Sequence, residues 1–167
     1  MQTFLPFADF AASARVLDRQ RLGKQRVEAW MLFDILTNPD SRWWRWRPHP
    51  VVRMWRGHED ALSAYFWVMV AEWRRRGYRS TIVLPRPADP VTAPPWLGDE
   101  RLHASHRSNL LRKLPEWYGR FGWREGPEQP YYWPVPRPLV SPDESEPEPP
   151  DEDGRVVSAP RSRLALG

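Results

Sequence analysis

The 167-residue chain has no cysteine, which excludes a disulfide framework, a thiolate zinc site and a cysteine nucleophile. Lys24 and Lys113 are its only lysines, and His49, His58, His103 and His106 its only histidines. No apolar run approaches the roughly 20 residues needed to cross a bilayer. The opening stretch "MQTFLPFADFAASARVL" lacks the charged start and long apolar run of a signal peptide. There is no GxGxxG, P-loop, GxSxG or HExxH, so dinucleotide, phosphate-cradle, serine-hydrolase and zincin motifs are all missing. These absences lead us to expect a soluble, cytoplasmic protein with no membrane association.

Tryptophan, with 11 residues, and proline, with 20, are abundant. The net charge of +4 hides an asymmetry: residues 139–154 hold seven acids and no base. Residues 1–138 keep 22 basic against 14 acidic side chains, a body of +8. Such a body favours a polyanionic partner, nucleic acid first. From Pro134 the chain is Pro-rich and acidic with few large apolar groups. It is expected to be a disordered tail (134–167) on a single domain (1–133).

The body reads as all-α, a compact domain of about three main helices with long Pro/Trp-rich loops. Asp18 can cap a helix to about Leu36, with Leu22, Ala29, Phe33 and Leu36 facing inward. A second helix runs from His58 to Arg76, with Glu59 and Asp60 in its first turn, Arg74, Arg75 and Arg76 in its last, and Gly77 after it. Leu62, Phe66, Met69, Val70 and Trp73 form its apolar stripe. A third spans Asp99 to Lys113, and Ile82–Leu84 could form a short strand without changing the all-α class.

Two polar patterns carry candidate chemistry. "RWWRWRPHPVVRMWR" interleaves Arg42, Arg45, Arg47, Arg53 and Arg56 with Trp43, Trp44, Trp46 and Trp55. Arginine meets phosphate and indole stacks on unpaired bases, although some of these tryptophans are expected in the core. In "LDRQRLGKQRVEAW", helical spacing puts Arg21, Lys24, Gln25 and Glu28 on one face. That face is either an ordinary solvated stripe with a Lys24–Glu28 pair or a docking surface leading to a reactive acid. His103 and His106 can share a helix face, but no carboxylate set accompanies them, so a surface or DNA-facing role is expected rather than a metal.

The run "RQRLGKQRVE" resembles the helix of the pyrimidine-dimer DNA glycosylases, the endonuclease V type first known from phage, that carries the family's catalytic glutamate. "HPVVRMWRGH", "VAEWRRRGYR" and "HASHRSNLLRKLPEWYGRFGW" resemble later segments in the same order, so the likeness covers about residues 1–133. The resemblance implies a DNA glycosylase with AP-lyase activity on damaged pyrimidines, cyclobutane dimers first. In it an α-amine attacks C1′ to form a Schiff base, and no cofactor or metal takes part. An α-amine has a pKa of about 7.7–8.0 against about 10.4 for lysine, so more of it is free base near neutral pH.

On this resemblance Met1 and Glu28 are the catalytic residues. The phage-type enzymes expose threonine after losing the initiator methionine. Here Gln2 is too bulky for ordinary removal, so Met1 is expected to supply the amine. Arg19, Arg21, Lys24, Gln25, Arg26, Arg45, Arg47, Arg53, Arg56, His58 and His106 are the expected DNA contacts. The partner is double-stranded DNA with damaged pyrimidines, met by a monomer near the nucleoid. The family has arginines directly before and three after its glutamate, where this chain has Val27 and Met31. A non-catalytic DNA-binding module and an enzyme for another modified or abasic nucleotide remain as alternatives.

Overall fold

Residues 1–135 are described by the structure, a computed structural model. The expected tail therefore lies, but for Pro134 and Val135, outside the described residues. The chain is helical: α1 (Phe10–Val16), α2 (Arg19–Thr37), α3 (Pro50–Trp55), α4 (Glu59–Arg75), α5 (Glu100–Lys113) and α6 (Pro115–Tyr118), with 3₁₀ turns at Trp44–Trp46 and Gly119–Phe121. No helix among the described residues is long and apolar enough to cross a membrane.

Local chemistry sets these boundaries. The Asp9 carboxylate accepts from Ala12 N at the start of α1 (2.5 Å). Asp18 Oδ1 accepts from Gln20 N and Arg21 N at the start of α2 (2.9 and 3.2 Å), so two of the orphan donors of its first turn are satisfied. His49 Nδ1 accepts from Val51 N ahead of α3, whose Pro50 needs no donor of its own. Asp99 accepts from Arg101 N ahead of α5 (3.0 Å). Gly77, at φ 89°, ends α4 in the left-handed region that favours glycine.

The long helix α2 is the centre of the molecule. It packs chiefly on α4, and α1 lies on α4 beside it. Leu22, Val27, Ala29, Met31, Leu32 and Ile35 are all in the core. So are the polar Gln25, Arg26 and Glu28 of the same helix, which is therefore enclosed on most of its circumference.

Residues 1–5 form an N-terminal arm threaded into this core, with Thr3 and Leu5 fully buried. Arm residues 2–5 are each tied down by a side chain. Gln25 of α2 donates to Gln2 O and accepts from Phe4 N; Trp55 of α3 donates to Thr3 Oγ1 (2.9 Å); Tyr65 of α4 donates to Phe4 O (3.0 Å). From α5, His106 Nδ1 accepts from Leu5 N (2.8 Å) and His103 Nδ1 meets Leu5 O (2.7 Å). Arg107 donates to Pro6 O (2.8 Å) just beyond. Buried backbone groups outside regular structure need such partners, because each unmet one costs about 1–3 kcal/mol.

Ile82–Leu84 forms no strand, since no second extended segment lies beside it among the described residues. It runs across α4 instead: Leu84 enters the core, and Pro85 O accepts from Ser63 Oγ and Trp67 Nε1 (2.5 and 3.3 Å).

Candidate active site

Where the arm meets α2 there is a cleft of about 690 Å³. The stripe expected on α2 lines it in full: Arg21, Lys24, Gln25 and Glu28. Met1 and Gln2 reach it from the arm, and Lys113 from the end of α5. Its remaining wall is aromatic. Trp133 meets His49 edge-on at 5.6 Å and Tyr131 at 6.0 Å, and Tyr131 rests against His106 at 5.8 Å.

Glu28 is only 8% exposed, and its Oε2 accepts from Gln25 Nε2 (3.0 Å) and from Gln2 N (3.4 Å). Burial pushes its carboxyl above the usual carboxylate range. The Met1 α-ammonium, the Gln2 N–H, Lys24 and the Gln25 amide pull the other way without cancelling that rise. The acid thus lies beside an amine and under a cationic rim, and it holds its proton more tightly than an exposed carboxylate does. Lys113 stands on the exposed rim, where partial enclosure and the nearby Arg21 and Arg112 lower its pKa. Burial, first, and the charge of Glu28 hold the Tyr65 hydroxyl well above its ordinary value, so it keeps its proton. Among the described residues no group of three or more His, Asp or Glu is placed to hold a metal ion.

The expected DNA contacts divide by position. Arg21 and Lys24 join Glu28 in the cleft. Gln25 lines it from below but is 1% exposed, with both amide atoms bonded inside the protein. Arg26 is buried with its guanidinium over the Trp73 ring (4.2 Å). His106 is fully enclosed, and with His103 it grips Leu5 rather than facing outward. These three side chains have almost no surface to offer a duplex, because the arm lies on Gln25 and His106 and Trp73 of α4 lies against Arg26. Arg19 is exposed beside Tyr78, and Arg45 beside Trp44, itself 57% exposed. Arg47 donates to the carbonyls of Asn38 and Pro39 and, with Arg56, borders a smaller hollow at the other end of α2. Arg53 is partly exposed on α3, and His58 packs edge-on against Trp96. Of the interleaved tryptophans, Trp43, Trp46 and Trp55 are core and Trp44 is outside.

Sequence reasoning missed the cleft's far wall: Lys113, Tyr131, Trp133 and His49. In the sequence Lys113 is one of two lysines and ends a helix, and nothing in the pattern of the aromatic segment before Pro134 places it beside α2. Val27 and Met31, where the resembling family carries arginines, are both core residues, 1% and 0% exposed. An arginine at either would have its charge driven into apolar packing, so the cations of this cleft stand at other positions.

A model of the pyrimidine dimer DNA glycosylase family matches residues 1–84, which include the arm, α2 and Glu28. Neither the curated proteins nor the solved structures contain a match to this chain. With half the chain matched and the acid, amine and cationic rim gathered in one cleft, the protein belongs to the pyrimidine dimer DNA glycosylase family.

Proposed function

We propose that the body of this protein, residues 1–133, is a DNA N-glycosylase and AP lyase for damaged pyrimidines, cyclobutane dimers first. Its nucleophile is the α-amine of Met1 and its proton carrier is Glu28. The observation that carries the reading is the pairing of these two groups in one cleft, under Arg21, Lys24 and Lys113. The amine lone pair attacks C1′, the N-glycosidic bond breaks, and the base leaves with the bonding electrons and a proton. The sugar ring opens to leave a C1′–N iminium. Loss of a C2′ proton then expels the 3′ phosphate, and water hydrolyses the imine to free the enzyme. Glu28 can give and take the protons these steps require, and the rim cations neutralise the phosphates on either side of the sugar.

The test uses borohydride, which reduces an iminium to a stable amine. Untagged protein trapped on abasic duplex should carry the sugar on the peptide beginning MQTF. Residues added ahead of Met1 should abolish both trapping and nicking while duplex binding persists. One observation favours a second reading, since Lys113 brings another amine of lowered pKa to the same cleft. On that reading the cross-link maps to Lys113, Lys113→Arg abolishes it, and an N-terminal extension is harmless.

A further inference from the structure

The Gln25 side chain touches the arm, Glu28 and α4 at once. Its Oε1 accepts from Phe4 N (2.7 Å) and from the Tyr65 hydroxyl (2.6 Å). Its Nε2 donates to Gln2 O (3.1 Å) and to Glu28 Oε2 (3.0 Å). The amide cannot be turned over, because that would set its NH₂ against the Phe4 N–H, two donors facing each other. The direction of every bond is thereby fixed. Tyr65 has one hydroxyl proton, lying between Phe4 O and Gln25 Oε1, and gives Gln25 no acceptor in exchange. Two N–H groups, from Gln25 and Gln2, therefore converge on Glu28 Oε2.

We infer that Gln25 is a positioning residue of the reaction: its amide reserves Glu28 Oε2 as an acceptor, so that Oε1 is the atom that gains and loses the proton, and it holds the arm so that the Met1 amine lies beside that atom. The inference rests on the amine and Glu28 reading above. An oxygen that already accepts two N–H bonds has little room for a proton, whereas Oε1 carries neither. The same amide sets the height of the arm by holding Gln2 O and Phe4 N, one residue either side of Thr3. A small error in that height would move the amine off the line of attack, where misplacement by about 1 Å costs on the order of 100-fold.

Gln25→Glu is the informative variant. Its carboxylate can still accept from Phe4 N and Tyr65, which favours folding. Its second oxygen, however, faces Gln2 O and Glu28 Oε2, both acceptors. When that new carboxyl is protonated its one O–H can donate to one of these two oxygens, where the amide donated to both; when it is ionised it repels Glu28. The other charged or titratable groups around Glu28 and its cleft are the Met1 amine, Arg21, Lys24, His49, Lys113, Tyr65 and Tyr131, and all are unchanged in the variant.

The measurement is the single-turnover nicking rate of wild type and Gln25→Glu on abasic duplex from pH 5 to 8.5, with duplex affinity measured alongside. The variant should approach wild type at the acid end and fall behind by about tenfold or more at the alkaline end, with affinity within about threefold. Gln25→Leu, which makes none of the four bonds, should be slower by a similar factor at every pH, and thermal melting reports whether it folds. Parallel profiles for wild type and Gln25→Glu would overturn the inference even if both are slow, because a purely structural loss does not follow the ionisation of the new acid. The parent reading fails separately. If wild-type protein is not trapped through Met1, both readings fall; if it is trapped and the profiles are parallel, only the role of Gln25 falls.

Discussion

On an exposed helix, Lys24 and Glu28 would form an i, i+4 pair worth a few tenths of a kcal/mol. The structure spends Glu28 differently. The acid is sunk between α2 and the arm, where its partners are an amide and a backbone N–H, and burial keeps its proton affinity high. A carboxyl arranged that way is costly to ionise and useful for moving protons. Glu28→Gln keeps the size and the capacity to fill the site but cannot carry a proton. It should leave the fold and duplex binding in place while nicking of abasic or dimer-containing duplex drops by about 10²–10⁴-fold. A variant that nicks at the wild-type rate would remove Glu28 from the mechanism. At this scale the sequence was a partial guide. The spacing of positions 21, 24, 25 and 28 put the cleft stripe on one face, and all four do line the cleft. What spacing could not supply was depth. Gln25, Arg26 and His106 look like DNA-facing polar groups in the sequence and are buried in the structure, because residues distant in the chain cover them: the arm lies on Gln25 and His106, and Trp73 of α4 lies against Arg26.

At the scale of elements, the three long helices were readable from caps and charge at their ends. Asp18 and Asp99 begin α2 and α5 as expected, and Gly77 follows α4. The short helices α1, α3 and α6 were not, since four to seven residues are too few to show a 3.6-residue period. Nor does α2 show a one-sided apolar pattern, because a helix enclosed on most sides has no single core face. One link between elements that helix-end charge alone does not reveal is made by Arg76. Its guanidinium donates to Leu17 O (2.7 Å), Ala14 O (3.2 Å) and Arg15 O (3.0 Å), the free carbonyls at the end of α1. It also pairs with Glu72 (2.7 Å), a buried acid held below the ordinary range by Arg75 and Arg76. Arg76→Ala removes that cap and leaves three carbonyls and part of Glu72 unmet. It should lower stability by roughly 2–4 kcal/mol in denaturant unfolding. A loss below about 0.5 kcal/mol would show that water replaces the guanidinium at no cost and that α1 is held by its apolar contacts alone.

For the whole molecule the tightest constraint is that the arm must stay seated for the cleft to exist, and α5 seats it with neutral histidine. His106 is fully buried and accepts from Leu5 N through Nδ1, so its proton is on Nε2. Burial first, and then the neighbouring His103, push its pKa down to about 3, against about 6.5 for an unfolded histidine. The folded state thus refuses a proton that the unfolded chain accepts below about pH 6.5, so stability is lost as pH falls from there towards 3. Glu28 acts in the opposite sense, because its raised pKa lets the folded state take up a proton first. Glu72 and Glu125, held low by Arg75 and Arg107, lose their contributions only below the ordinary carboxylate range. Between pH 6.5 and 5 the His106 contribution alone should cost about 1.5–2 kcal/mol. His106→Asn can still accept from Leu5 N and has no proton to gain. It should be less stable at pH 7, where packing against Phe4 and Tyr131 is lost, yet show a flatter decline towards pH 5. Denaturant unfolding at pH 7, 6 and 5 compares the two slopes, and the imidazole resonances of the wild-type protein give the direct check. A His106 titration midpoint near 6 would mean that the histidine is reached by solvent in the folded state, and that the arm is not locked at Leu5 as its geometry requires.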